Sequence, residues 1–172
     1  GSNSFGQCNV PEDLGKAKAI SAGLAYTAVV KEDGTVVVWG SNEFGQCDVP
    51  AGLSNAKAIS AGKVHTAVVK EDGTVVAWGN NSYGQCNVPA NIKNVEAIIA
   101  GDYHTTAITK DGVVFAWGWN KFGQWDVPVG LSNVKEISAG MWNIGVLKED
   151  GTVVVLGDNS FGQCNVPEDL RK

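Results

Sequence analysis

Residues 56–79 read AKAISAGKVHTAVVKEDGTVVAWG, and this stretch decides the fold. Its apolar residues are small or β-branched, and the runs Thr66-Ala67-Val68-Val69 and Thr74-Val75-Val76-Ala77-Trp78 suit a pleated, half-buried surface. Between them lies Lys70-Glu71-Asp72-Gly73, where Asp-Gly supplies the φ > 0 position of a tight hairpin. The run Ala56–Ala61, which alternates small residues and is ended by Gly62, adds a third strand. No segment places apolar residues at 3.6-residue spacing over ten or more positions, so the pattern predicts a small antiparallel sheet. Downstream, Asn80-Asn81-Ser82-Tyr83-Gly84 is rich in turn formers. Gln85-Cys86-Asn87-Val88 then predicts a short fourth strand at the outer edge, ended by Pro89, which has no N–H for a ladder.

The same unit recurs along the chain. An aromatic-Gly-Gln tripeptide begins at Phe5, Phe44, Tyr83, Phe122 and Phe161, at a constant spacing of 39 residues. Val-Pro, Ala-Gly and Asp-Gly pairs recur at that spacing without a gap. The blade repeats are therefore 3–41, 42–80, 81–119 and 120–158, with 159–172 as a partial repeat. Residues 159–170, NSFGQCNVPEDL, are identical to residues 3–14. One sheet of this size cannot bury its own faces, and units of about 40 residues stacked around an axis make a β-propeller. The fold expected is all-β, a propeller of 39-residue antiparallel blades, four per chain. Four narrow blades would close on themselves only at extreme tilt. Dimerisation of two chains into an eight-bladed ring is the expected assembly, driven by the open blade faces at the chain ends.

Composition excludes several function classes. The chain has 172 residues, 44% hydrophobic and 18% charged, enough apolar content for a packed core. Thirteen Lys and Arg against eighteen Asp and Glu give a net charge of −5 with no basic cluster, which argues against nucleic acid as a partner. No apolar run approaches the roughly 20 residues that cross a bilayer, so a soluble protein without a membrane partner is expected. Gly1-Ser2 reads as a cloning remnant. With the duplicated ends it implies an excised or engineered part of a longer array.

Two local patterns carry a family resemblance: Trp-Gly-x-Asn-x-aromatic-Gly-Gln, as in Trp39 to Gln46 and Trp78 to Gln85, and Ala-Gly-x-x-His-Thr, as in Ala61 to Thr66 and Ala100 to Thr105. The unit resembles the regulator of chromosome condensation repeat in the short form found in bacterial propellers, and the likeness covers essentially the whole chain. It is similar above all to the propeller-type β-lactamase inhibitory proteins. That resemblance implies a bacterial parent and a partner protein held by loop aromatics just after the Ala-Gly pair. The matching slots hold Leu24-Ala25-Tyr26, Lys63-Val64-His65, Asp102-Tyr103-His104 and Met141-Trp142-Asn143. Tyr26, His65, Tyr103, His104, Met141 and Trp142 are accordingly the candidate interaction face. Chromosome-associated members act as nucleotide exchange factors through an inserted wedge, for which ungapped units leave no room.

Residues that recur in every unit read as scaffold. Cys8, Cys47, Cys86 and Cys164 share one repeat position, with Trp125 in the remaining copy, and match neither zinc-ligand nor disulfide spacing. They are expected to be free, partly buried thiols. His65 and His104 sit at one position without a nucleophile at fixed relation to them, so a structural hydrogen bond to backbone is the expected role. Carboxylates before the hairpin glycines are turn formers. The aromatics before Gly-Gln and the series Trp39, Trp78 and Trp117 are expected to pack between blades. No catalytic residue, metal site or cofactor is expected. Departures from the repeat, at Trp119, Trp125, Met141-Trp142 and Leu156, are where function would show, although the three tryptophans occupy different repeat positions and need not share a surface. Two readings fit: a non-catalytic scaffold or protein-interaction module, and a binder of carbohydrate or another small ligand through blade-top aromatics.

Overall fold

The computed structural model describes residues 2–123, 126–128 and 131–171. Twelve strands in these residues form separate three-stranded antiparallel sheets, each in simple up-and-down order. Blade 1 comprises β1 (Ala17–Ala22), β2 (Tyr26–Lys31) and β3 (Val36–Gly40); blade 2 comprises β4 (Ala56–Ala61), β5 (His65–Lys70) and β6 (Val75–Gly79). Blade 3 comprises β7 (Val95–Ala100), β8 (His104–Thr109) and β9 (Val114–Gly118); blade 4 comprises β10 (Val134–Ala139), β11 (Asn143–Lys148) and β12 (Val153–Gly157). Glu168–Leu170 is a single 3-10 turn. Among the described residues no helix is long and apolar enough to cross a membrane.

Each hairpin forms for the reason the sequence suggests. Gly73 takes φ +79°, Lys70 N donates to Thr74 O at 2.9 Å, and Asp72 accepts from both the Thr74 N–H and its hydroxyl. The first strand of every blade carries a bulge near its start, between Ala56 and Ala58 in blade 2. Strict alternation is broken there, so Ala56, Ile59 and Ala61 point the same way and are buried together.

That row is one half of the contact between blades. Ala28, Val30, Val36 and Val38 of blade 1 meet Ala56, Ile59 and Ala61 of blade 2, with Cys47, Val49 and Leu53 from the connecting segment filling the seam. Equivalent residues join blade 2 to blade 3 and blade 3 to blade 4. Polar groups cross the same seams: Ser21 Oγ accepts the Ala61 N–H at 2.9 Å and Ser60 Oγ the Ala100 N–H at 2.9 Å. The Ala-Gly pairs of all blades line one concavity of about 220 Å³, which marks the axis around which the blades are arranged. Glycine is required there because a Cβ on Gly62 would strike the Gly101 carbonyl oxygen of the next blade.

The expected fourth strand is not formed. Residues 80–89 make turns instead, since Asn81 Oδ1 accepts the Cys86 N–H at 2.9 Å and Asn81 Nδ2 donates to Asn87 at 2.8 Å. Side-chain amides meet the needs of this segment locally, and Gly84 at φ +79° turns the chain. The segment before each sheet lies on the blade that follows it: Gln46 O accepts from Thr66 Oγ1 and Trp78 Nε1, each at 3.0 Å, and Gln85 O from Thr105 and Trp117. All four recurring cysteines donate to nearby carbonyls, Cys47 to Ser41 O at 3.1 Å, Cys86 to Asn80 O, Cys164 to Asp158 O and Cys8, at a longer 3.7 Å, to Ser2 O. Burial pushes the Cys47 and Cys86 thiols up to about 11, so they stay protonated and unreactive at neutral pH.

Candidate functional site

Each Ala-Gly-x-x-x slot divides its three variable residues among three places. The first lies at the mouth of the axial concavity, where Leu24 and Met141 are exposed. The second faces outward. The third opens the next strand and turns between the blades, and this overturns part of the expected interaction face: Tyr26, His65 and His104 are buried. Tyr26 donates to the His65 carbonyl at 2.5 Å, and Thr66 Oγ1 reaches its hydroxyl at 3.2 Å. Burial raises the Tyr26 phenol well above its ordinary value.

The histidines bond a side chain, or nothing, rather than backbone. Thr105 gives its only hydroxyl proton to Gln85 O at 2.7 Å, so His65 Nε2, 2.9 Å from Thr105 Oγ1, must be the donor, and His65 is the neutral Nε2–H tautomer. His65 Nδ1 has no partner. At His104 neither ring nitrogen is paired, because the residue equivalent to Thr105 one blade on is Ile144. Burial, aided at His65 by the neighbouring His104, lowers both imidazoles to about 4.

The second slot residues build a surface. Tyr103 and Trp142 reach it from the turns before β8 and β11, Tyr83 and Phe122 from the turns after β6 and β9, and Trp119 from the residue following β9. Trp119 is the hub: its ring lies 5.8 Å from Tyr83, 5.9 Å from Tyr103, 5.5 Å from Phe122 and 6.4 Å from Trp142. Tyr83 and Tyr103 meet edge to face at 5.4 Å, and Phe122 and Trp142 are 5.7 Å apart. The surface stays open, with Tyr83 50% and Phe122 37% exposed. Trp119 and Trp142 thus do share a surface despite their different repeat positions. Trp125 lies outside the described residues.

Electrostatics give the patch a polar rim. Lys63 Nζ donates to the Tyr103 hydroxyl at 2.9 Å, sits 3.5 Å from Asp102 and 4.9 Å from the Tyr103 ring centroid. The Tyr103 hydrogen bond is the main reason the Lys63 ammonium is held above its ordinary value. Beside it runs a cleft of about 440 Å³ bordered by Phe5, Phe44, Tyr83 and Tyr103, with Glu43 and Lys63 at its edge. Among the described residues no cluster of three His, Cys, Asp or Glu side chains is placed to hold a metal ion.

Two features escaped the sequence reading. The aromatics before Gly-Gln do not pack between blades: Phe44, Tyr83 and Phe122 are exposed, while the Gln is the structural residue, its Oε1 accepting the aromatic N–H at 2.9 Å in Phe44 and Tyr83. Trp119 was legible only as a deviation. At its position Asn80 accepts from Ser82 N and Gln85 Nε2, and Asp158 from Ser160 and Gln163. An indole cannot accept those bonds, so blade 3 gives up a turn cap in exchange for a half-buried aromatic at the surface.

The family model for the regulator of chromosome condensation (RCC1) repeat matches residues 17–46, 56–85 and 95–124, more than half of the chain. The chain belongs to this repeat family. Among solved structures, human WBSCR16 matches this RCC1-repeat chain at 20% identity with a TM-score of 0.75, covering 93% of it and 53% of the human chain. Yeast RCC1 (Prp20), solved bound to Kap60, matches at 18% identity and a TM-score of 0.74, covering 89% of this chain and 46% of its own. The computationally designed Ika4 protein matches at 21% identity and a TM-score of 0.55, covering 84% of this chain and 92% of Ika4. At these identities the likeness is one of fold, and the chain spans about half the length of the two natural propellers. No curated protein sequence matches significantly.

Proposed function

We propose that this RCC1-repeat chain is a non-catalytic module that recognises a protein partner through the aromatic surface of blades 2 to 4. The observation that carries this is the convergence of Tyr83, Tyr103, Phe122 and Trp142 on Trp119, a residue the repeat does not need and for which it forgoes a turn cap. Contiguous exposed and half-buried aromatics rimmed by Lys63 and Asp102 have the composition of an interaction hot spot. The imidazoles are buried between blades, away from this surface, which speaks for recognition over chemistry. The rings meet one another mainly edge-on, and among the described residues the patch occurs once rather than in every blade. A carbohydrate site repeated from blade to blade would look different.

The test is selection of displayed peptides on the wild-type protein, followed by binding to Trp119→Ser and Tyr103→Ala. Serine stands at the equivalent position in blade 1, so the first variant keeps a turn residue while removing the hub. Peptides that bind wild type and lose at least about tenfold on both variants support the reading. Peptides indifferent to both changes refute it, and glycan-array binding that depends on the same rings favours the small-ligand alternative.

A further inference from the structure

The blade-to-blade contact is present three times inside the chain and half-present at each end. Ile59, Ile98 and Ile137 are 9%, 4% and 4% exposed where each packs on the preceding blade, whereas Ile20, at the same position of blade 1, is 72% exposed. Ala17 and Ala22 flank it as Ala56 and Ala61 flank Ile59, and both are exposed. At the other end, Leu147, Val153 and Val155 of blade 4 stand where Val30, Val36 and Val38 of blade 1 meet blade 2. They line two open grooves of about 470 and 260 Å³. The four blades therefore do not close on themselves, and the two open faces are the two halves of one known contact.

The polar pattern also matches half to half. Ser21 and Ser60 accept the amides of Ala61 and Ala100 one blade on, and Ser138 repeats them on blade 4, opposite the place an Ala22 N–H would take. Gly34 O and Gly73 O accept the first strand amides of the next blade, Ala56 and Val95, at 3.0 Å. Gly151 is their equivalent, and a Cβ built on it meets nothing within 4 Å, against 3.0 and 2.9 Å at Gly34 and Gly73. Charge agrees. Lys18 pairs with Glu71 of the next blade at 3.0 Å. Carried forward by the repeat, that pair becomes Lys57 with Lys110 and Glu96 with Glu149 at the other internal seams. Between blade 4 and a following blade 1 it becomes Lys135 with Glu32, opposite in sign again.

We propose that the open face of blade 4 docks head to tail on the open face of blade 1 in a second copy of this chain, twice over, closing a two-chain ring. The second copy is the occupant because it carries the complementary row of Ala17, Ile20, Ala22 and Glu32 in register with Gly151, Leu147, Ser138 and Lys135 respectively. Two copies also make up the length of the propeller chains of which this one spans 53% and 46%. Each contact is heterologous, and a rotation that closes after two copies gives a finite ring instead of a fibre.

Sedimentation equilibrium on the full chain tests this. Two chains of 18.0 kDa are expected at micromolar concentration, and a wild-type monomer at 50 µM, or an open series of longer species, overturns the ring. Ile20→Asp and Leu147→Asp each remove one face and both should sediment as monomers with wild-type circular dichroism. Mixed in equal amounts they should form a two-chain species through the one intact seam. A dimer that survives Leu147→Asp but not Ile20→Asp would mean that like faces pair, against the proposal. Lys135→Glu should weaken association about three- to tenfold at low salt, and adding Glu32→Lys should restore it. Failure of that rescue overturns the register.

Discussion

Acidification from pH 8 to pH 5 should remove about 4 kcal/mol of stability, and two residues should account for it. His65 and His104 are buried and uncharged, with imidazoles held at about 4 against an ordinary value of 6.5. Because the folded value lies below the unfolded one, the neutral form is favoured in the fold, and the unfolded chain takes up protons first as pH falls. The stability is therefore complete above pH 6.5, falls between 6.5 and 4, and levels off below. A gap of about 2.5 units corresponds to about 3 kcal/mol per histidine when fully expressed, and about 2 kcal/mol each at pH 5. Protonation would put a hydrogen on His65 Nδ1, which has no acceptor, and place two cations on adjacent blades. Urea unfolding followed by tryptophan fluorescence at pH 8, 6.5, 5.5 and 5 reads the slope, which should approach about 2.4 kcal/mol per pH unit for the pair. Asparagine occupies the same repeat position in blade 4, so His65→Asn and His104→Asn should each remove about half of it. A fall of under about 1 kcal/mol by pH 5, or an unchanged slope in the double variant, refutes the assignment. The carboxylates act in a different window. Asp150, held at about 2 chiefly by hydrogen bonds from Thr152, and Asp33, Asp72 and Asp158, likewise lowered, contribute above their unfolded values and lose that contribution only below about pH 4.

Scaffold and surface aromatics should separate in a melt. Trp78→Ala leaves a cavity and removes the donor to Gln46 O, and should cost about 3 to 5 kcal/mol, against about 1 to 2 for Tyr103→Ala and Trp142→Ala; equal losses would return those rings to the core. Trp39→Ala should cost less than Trp78→Ala, since Trp39 is only half buried and its indole N–H has no partner. Gly62→Ala should destabilise by more than about 2 kcal/mol in thermal unfolding, because its Cβ would meet the backbone of the adjacent blade; a neutral result would show that the blades can slide apart at the axis. Deleting residues 1–14 should leave folded protein of unchanged oligomeric state. Residues 159–170 carry the same sequence and lie over Val153 and Val155, as the segment 42–53 lies over blade 1. Aggregation of the truncated chain would show that the first copy is indispensable.

The period of 39, the three strands of each unit and the Asp-Gly hairpins were all legible in the sequence, because strand pattern and turn chemistry are local properties. So was the burial of Trp78 and Trp117. The aromatic of each Gly-Gln turn recurs as a core residue would, yet it does not pack between blades. Gly84 and Gln85 recur for the turn, and Tyr83 rides on it into solvent. The outer strand does not form although Gln85-Cys86-Asn87-Val88 is β-competent, because Asn81, four residues before Gln85, bonds that segment into turns.

By itself, the sequence determined the repeating unit, the number of units and the departures at Trp119, Trp125, Met141-Trp142 and Leu156, since each can be read by comparing positions 39 residues apart. Only the tertiary structure decided which departures meet. Trp119 and Trp142 are 23 residues apart in the chain and belong to different repeat positions, yet curvature about the axis brings their rings to 6.4 Å, and the same packing turns Tyr26, His65 and His104 inward. The physical reason is that a strand pattern fixes the alternation of faces within a blade. Whether a given face meets water or a neighbour depends on how the next blade stacks against it, and Ile20 and Ile59, identical in local sequence, differ only in that.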